Sequence, residues 1–118
     1  MRLLYGVQGT GNGHIARARI MAAALAQRDD INVDFVFTGR RPEKYFDMEI
    51  FGEYRTFTGL SFITTGGRVD KWATVKDANV SQFIKDVKAF DTSNYDLLVN
   101  DFEPVTAWAA KQQGLPSI

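Results

Sequence analysis

The sequence predicts an α/β fold: a doubly wound, mostly parallel, Rossmann-like sheet in a single domain over residues 1–118. Two observations carry this. First, the apolar run "RLLYGV", the glycine-rich turn "QGTGNGH", a helical stretch and the β-branched, aromatic run "INVDFVFTG" follow one another. Strand, helix, strand within about 40 residues is a βαβ unit, which pairs its strands in parallel and crosses over with right-handed sense. Second, the strand-then-helix order returns in "YDLLVND" and "EPVTAWAAKQQG". Such alternation builds a parallel sheet with helices on both faces.

The elements follow in chain order. Residues 2–7 read as a buried strand. Ile15, Ala18, Ala22, Leu25 and Ala26 share one helical face, which predicts a helix over 15–28. The second strand ends at Gly39, and "RRPEKYFDMEIFGE" holds a short helical turn. "YRTFTGL" reads as a third strand, and "SFITTGGRV" as a strand running into a turn at Gly66 and Gly67. Residues 71–90 form an amphipathic helix whose stripe of Val80, Phe83, Ile84, Val87 and Phe90 is assigned to the core. Residues 95–101 are the next buried strand. Pro104 stands where a first-turn proline belongs, and Gly114 reads as a helix C-cap. Residues 116–118 look like the start of another strand, and an unpaired strand is a poor place to end a domain. The chain is therefore expected to be the N-terminal part of a longer, two-domain protein.

The totals exclude several function classes. Lysine plus arginine and aspartate plus glutamate balance at 14 each over 118 residues, so no basic excess points to nucleic acid. The absence of cysteine removes disulfide frameworks, thiolate metal sites and thiol nucleophiles, and fits a cytoplasmic protein. The apolar run at the N-terminus is too short for a signal peptide, and none reaches membrane-spanning length.

In doubly wound sheets the strand order is commonly 3-2-1-4-5, and ligands bind outside the carboxyl ends of strands 1 and 4, where the winding reverses. Strand 1 leads into the glycine turn and His14, the sole histidine; the fourth strand ends at Asp101. The two are expected to face each other across one crevice.

The glycine turn admits three readings. A P-loop needs lysine and then serine or threonine after its last glycine; His14 and Ile15 stand there instead, which rejects it. A dinucleotide fingerprint is approached by Gly9, Gly11 and Gly13, one residue too tight, with Arg40 or Arg41 available for a 2′-phosphate; an NADP-binding oxidoreductase domain is the alternative it leaves open. The third reading uses every residue. Glycines bring the backbone close to a ligand and expose amides at a helix N-terminus, suited to phosphate. His14 there acts as general base, and Asp101 fixes its tautomer and orientation. Asp101 has a competing reading as a cap or orienting group of the following helix. Arg17 and Arg19 compete with plain solvated charges, the stem of Arg19 being partly covered.

The stretch "GVQGTGNGHIARARIMAAAL", with its G-x-G-N-G-H-x-x-R core, resembles the N-terminal loop of GT-B glycosyltransferases, among them the relatives of the peptidoglycan N-acetylglucosaminyl transferase (family 28-like). "YDLLVNDFEPVTAWAAKQQGLPSI" is similar to the strand-Asp-helix-G-[IL]-P stretch of those proteins. The likeness is clear at both ends and faint between residues 39 and 90. It implies the N-terminal, acceptor-binding half of a GT-B fold. A second domain in cis would bind the nucleotide-sugar. His14 matches the position of the catalytic base, Asp101 the aspartate that supports it, and Arg17 the arginine of the G-H-x-x-R pattern. Gly9, Thr10, Gly11, Asn12 and Gly13 would bind substrate or phosphate, and Arg68 and Trp72 would serve an acceptor loop. The implied reaction is inverting and metal-independent, with no cofactor, a sugar or lipid-linked acceptor, and peripheral membrane contact. A non-catalytic, acceptor-binding subunit of a split glycosyltransferase is the remaining alternative.

Overall fold

In the computed structural model the described residues are 1–59 and 77–118, with side chains from 80 onward in the second stretch, together with the backbone of 64–65 and 68–69. Four parallel strands form the main sheet in the order β3-β2-β1-β6: β1 (Arg2–Gln8), β2 (Asn32–Thr38), β3 (Tyr54–Phe57) and β6 (Leu97–Asp101). The expected order 3-2-1-4 is therefore observed, β6 being the fourth strand of this sheet. Residues 116–118 lie along the free edge of β6. Ser117 bridges Leu98 in parallel, Ile118 N–H donates to the Leu98 carbonyl at 2.9 Å, and Asn100 N–H donates to the Ile118 carbonyl at 3.0 Å. Two short antiparallel strands, β4 (Thr64–Thr65) and β5 (Arg68–Val69), pair apart from the sheet on either side of positions 66 and 67.

The helices are α1 (Asn12–Leu25), α2 (Asp77–Ala89) and α3 (Pro104–Gln113), with one 3₁₀ turn at Pro42–Lys44 and another at Glu49–Phe51. Alternation along the strands divides the core in two, as a sheet with helices on both faces requires. Tyr5, Val7, Phe35 and Phe37 pack with Ile15, Ala18 and Ala22 of α1 and with Met48 and Phe51. Leu4, Val36 and Leu98 face the other way, onto Val87, Phe90, Val105, Ala109 and Ala110. Chain direction and sheet order thus place the reversal of winding between β1 and β6.

Three expectations change. α1 starts at Asn12 instead of residue 15, so Gly13 and His14 belong to its first turn; glycine has a low helix propensity, yet Gly11 supplies an extended N-cap that lets the helix begin early. It also stops at Leu25, three residues short of the expected end. The third strand ends at Phe57, before the positive φ of Gly59 turns the chain. Ile84, assigned to the core stripe, is 45% exposed, because α2 sets Val87 and Phe90 against the sheet and leaves Ile84 at the rim. Residues 71–76 of the expected second helix lie outside the described residues.

The start of α3 is fixed by Glu103. Its carboxylate is almost wholly buried and accepts from Val105 N–H (2.6 Å), Thr106 N–H (2.7 Å) and the Thr106 hydroxyl. Asn100 closes the turn, donating to the Glu103 carbonyl at 2.7 Å and accepting from Glu103 N–H at 3.1 Å. This cluster lies against Gly6 of β1. A Cβ at Gly6 would collide with the Thr106 hydroxyl and lie 3.0 Å from Glu103 Oε2. Gly6→Ala should therefore lower stability by about 1–3 kcal/mol, the usual cost of overpacking. Urea unfolding monitored by circular dichroism measures it; an unchanged midpoint would mean that the cluster does not pack on β1.

Candidate active site

The site is built where β1 and β6 part. The parallel register sets Val7 opposite Asp101, so the end of β6 lies beside the end of β1, from which the chain enters the glycine turn. α1 then brings His14 and Arg17, three residues apart and on one helical face, back over Asp101. His14 Nδ1 lies 2.8 Å from Asp101 Oδ1, and Arg17 Nη1 donates to Oδ2 at 3.2 Å. One carboxylate is shared by two cationic or potentially cationic groups. The Asp101 side chain is 8% exposed, that of His14 30% and that of Arg17 63%, so the carboxylate is enclosed and the imidazole opens to solvent.

This arrangement fixes the imidazole. A carboxylate only accepts hydrogen bonds, so neutral His14 carries its hydrogen on Nδ1 toward Asp101 and keeps the lone pair on Nε2. Phe102 follows Asp101 with a left-handed φ of 56°, which turns its ring outward to 5.7 Å from the His14 ring. Below the site, burial raises the Tyr5 hydroxyl above its ordinary pKa, and the Asp101 charge adds to the rise while Arg17 opposes it.

The competing assignment of Asp101 as a helix cap gives way to Glu103, which caps α3 with its own side chain. Burial pushes the Glu103 carboxyl above the ordinary carboxylate range against the opposing pull of its hydrogen bonds. Neither Glu103 nor Phe102 was among the expected site residues. The Pro104 that marks the helix start put the cap immediately before it, and that was the available signal for Glu103.

The glycines divide by environment. Gly9 is buried: its N–H donates to the Thr38 carbonyl at 2.6 Å, and an added Cβ would collide with the Tyr45 hydroxyl. Its need for glycine is therefore explained by packing. Among the described residues, nothing lies within 4 Å of a Cβ built at Gly11 or Gly13, and no side chain caps the amides of α1. Thr10 is exposed, and Asn12 accepts from Arg40 Nη2 at 2.8 Å. Burial raises the Tyr45 hydroxyl to about 12. Arg19 donates to the carbonyls of Phe46 and Asp47, at 2.7 and 3.3 Å, and lies over the Phe46 ring, as its partly covered stem led one to expect. Of the acceptor-loop pair, Arg68 has its backbone in β5, and Trp72 lies outside the described residues. Among the described residues no three His, Asp or Glu side chains gather as a metal site.

The sole histidine makes the pairing measurable. In Asp101→Asn the amide can donate as well as accept, so the Nδ1–H form of neutral His14 loses its preference. Imidazole ¹⁵N shifts should report mainly Nδ1–H in the wild type and a mixture with Nε2–H in the variant. The same tautomer ratio in both would show that Asp101 does not set it.

The family model described as Glycosyl transferase family 1 matches residues 1–118. No curated protein matches the chain. Among solved structures, the crystal structure of Acinetobacter baumannii MurG superposes with a TM-score of 0.56 at 15% identity, over 98% of this chain and 33% of that one. A UGT transferase from Siraitia grosvenorii, in complex with UDP, superposes with a TM-score of 0.50 at 22% identity, over 98% of this chain and 26% of that one. The chain thus spans about a third and about a quarter of the lengths of these two proteins. The likeness is one of fold: the α/β sheet corresponds to the N-terminal half of GT-B glycosyltransferases.

Proposed function

The chain belongs to glycosyl transferase family 1, and on that premise we propose that residues 1–118 form the acceptor-binding N-terminal domain of a glycosyltransferase in which His14 is the catalytic base. The observation that carries this is the 2.8 Å contact between His14 Nδ1 and Asp101 at the reversal of winding, which leaves the lone pair of neutral His14 on Nε2. A second domain, following in the same chain, binds the nucleotide-sugar; the UDP in the Siraitia grosvenorii transferase is the kind of nucleotide that donor carries.

The reaction is a single displacement. The acceptor hydroxyl oxygen forms a bond to the anomeric carbon while the bond from that carbon to the phosphate oxygen breaks, and configuration inverts. The hydroxyl proton passes to His14 Nε2, and the bonding pair leaves with the nucleotide diphosphate. Asp101 orients the imidazole and offsets the positive charge it gains, as a positioning residue. Arg17 holds the second carboxylate oxygen, which keeps Asp101 from rotating away. The uncapped amides of α1, fronted by Thr10, Gly11, Asn12 and Gly13, offer partial positive charge to phosphate oxygens at the crevice. Electrostatics and proton transfer carry the whole step, with neither a metal nor a cofactor. Arg68 and Trp72 belong to the acceptor side of the same reading.

In the longer protein, His14→Ala should lower kcat by about 10²–10⁴-fold, the range of general-base contributions, and leave the KM for the donor little changed. Residues 1–118 alone should transfer no sugar. Steady-state assays with UDP- and GDP-sugars test both; undiminished turnover by His14→Ala would remove the base from this site.

Peripheral membrane contact has its own observation. Phe83, Ile84, Val87 and Trp108 line an apolar groove of about 250 Å³ between α2 and α3, with Trp108 half exposed. Lys88 lies at its edge, and the Lys111 ammonium is 5.5 Å from the Trp108 ring centroid. Apolar side chains flanked by two lysines suit an anionic lipid surface. Among the described residues no helix is long and apolar enough to cross a membrane. The chain should co-sediment with phosphatidylglycerol vesicles and lose that binding in Ile84→Ser/Trp108→Ser. Equal binding by the variant would assign the groove elsewhere.

A further inference from the structure

A second polar feature borders the site. At the carboxyl edge of β2 and β3 lies a cavity of about 410 Å³, lined by Gly39, Arg40, Arg41, Thr56 and Thr58 among others. Two arginines are among its lining residues, and no acidic residue is among the described ones. Among the described residues, neither arginine forms an ion pair.

Arg40 is held in place. Its Nη2 donates to Asn12 Oδ1 at 2.8 Å, its Nη1 to the Lys44 carbonyl at 3.4 Å, and its guanidinium carbon lies 5.4 Å from the centroid of the Tyr45 ring. All of these partners are neutral groups, so its charge is positioned without being neutralised. Arg41 is exposed beside it. Gly39 makes room: with φ of 95° it turns the chain sharply out of β2, and an added Cβ would lie 2.6 Å from the Thr10 methyl. Arg40 follows that turn, directed at the first residue of α1.

We propose that this cavity binds a phosphoryl group carried by the acceptor, with Arg40 and Arg41 as its cationic walls. Guanidinium groups donate in forks that match phosphate oxygens, and Thr56 and Thr58 bring hydroxyls to the same cavity. The volume exceeds that of a lone phosphate and lies within the ordinary range for small-molecule sites, so an attached sugar-sized group fits as well. Through Asn12 the cavity is tied to the helix turn that carries His14, two residues on. The assignment to the acceptor rests on the functional reading above; the phosphoryl site itself does not.

Amide NMR titration of the chain with inorganic pyrophosphate separates the two. Binding should shift the amides of residues 39–41 and 58. It should weaken at least tenfold in Arg40→Gln/Arg41→Gln and severalfold in Arg41→Gln alone, the latter exposed and without a side-chain partner among the described residues. Lys44→Gln should leave it within about twofold, as expected of fixed contacts and not of diffuse charge. Wild-type affinity in the double variant, an equal loss in Lys44→Gln, or shifts confined to other residues would overturn the site. NADP⁺ and NAD⁺ form the second arm, and neither should bind more than tenfold tighter than pyrophosphate. If NADP⁺ alone does so, and Arg40→Gln abolishes the difference, the phosphoryl site stands and its assignment to a glycosyl acceptor falls.

Discussion

The parallel pairing of β1 with β6 is the constraint from which the site follows. These strands are distant in sequence, and their register sets Val7 opposite Asp101. A slip of one residue would exchange the two faces of β6, carrying Leu98 out of its core and Asp101 away from α1. Hydrophobic alternation therefore fixes the position of the carboxylate. Leu98 is fully buried between Leu4 and α3, and with Leu98 in place the end of β6 has nowhere else to go. The position of a charged group is thus decided by apolar packing several ångströms away.

The turn after β6 answers a second demand. The chain must reverse into α3 within two residues and bury a carboxylate as it does so. Phe102 takes a left-handed conformation that bulky residues seldom adopt, and Glu103 surrenders its solvent to three donors at the head of α3. Gly6 is the counterpart on β1. Its missing side chain is the space in which Glu103 and Thr106 sit. Backbone strain at Phe102 and the narrow fit at Gly6 are two sides of one tight connection, and together they hold Asp101 under His14.

Much of this was legible from residue order. The short apolar run "RLLYGV" and the β-branched, aromatic run "INVDFVFTG" marked the buried strands, the glycine turn and Pro104 marked two helix starts, and the reversal rule brought His14 to Asp101 across 87 positions. The start of α1 was harder to place, because glycine at 11 and 13 reads as loop when the decisive fact is the open space before the helix. Glu103 was missed because a carboxylate beside proline looks like a solvated surface charge; its burial is produced by Gly6, almost a hundred positions earlier. Gly9 carries the reverse lesson. It stands in a ligand-binding pattern, yet the collision with Tyr45 already demands a glycine there. Ile84 followed the helical stripe, but a stripe does not say how far around the helix the neighbouring elements reach.

Asp101 is divided between a permanent cation, Arg17, and a conditional one, His14. With the imidazole neutral, the three side chains sum to zero, one negative charge against one positive. With the imidazole protonated the same three side chains would carry a net positive charge, so the sign of the field at the mouth of the crevice hangs on a single proton.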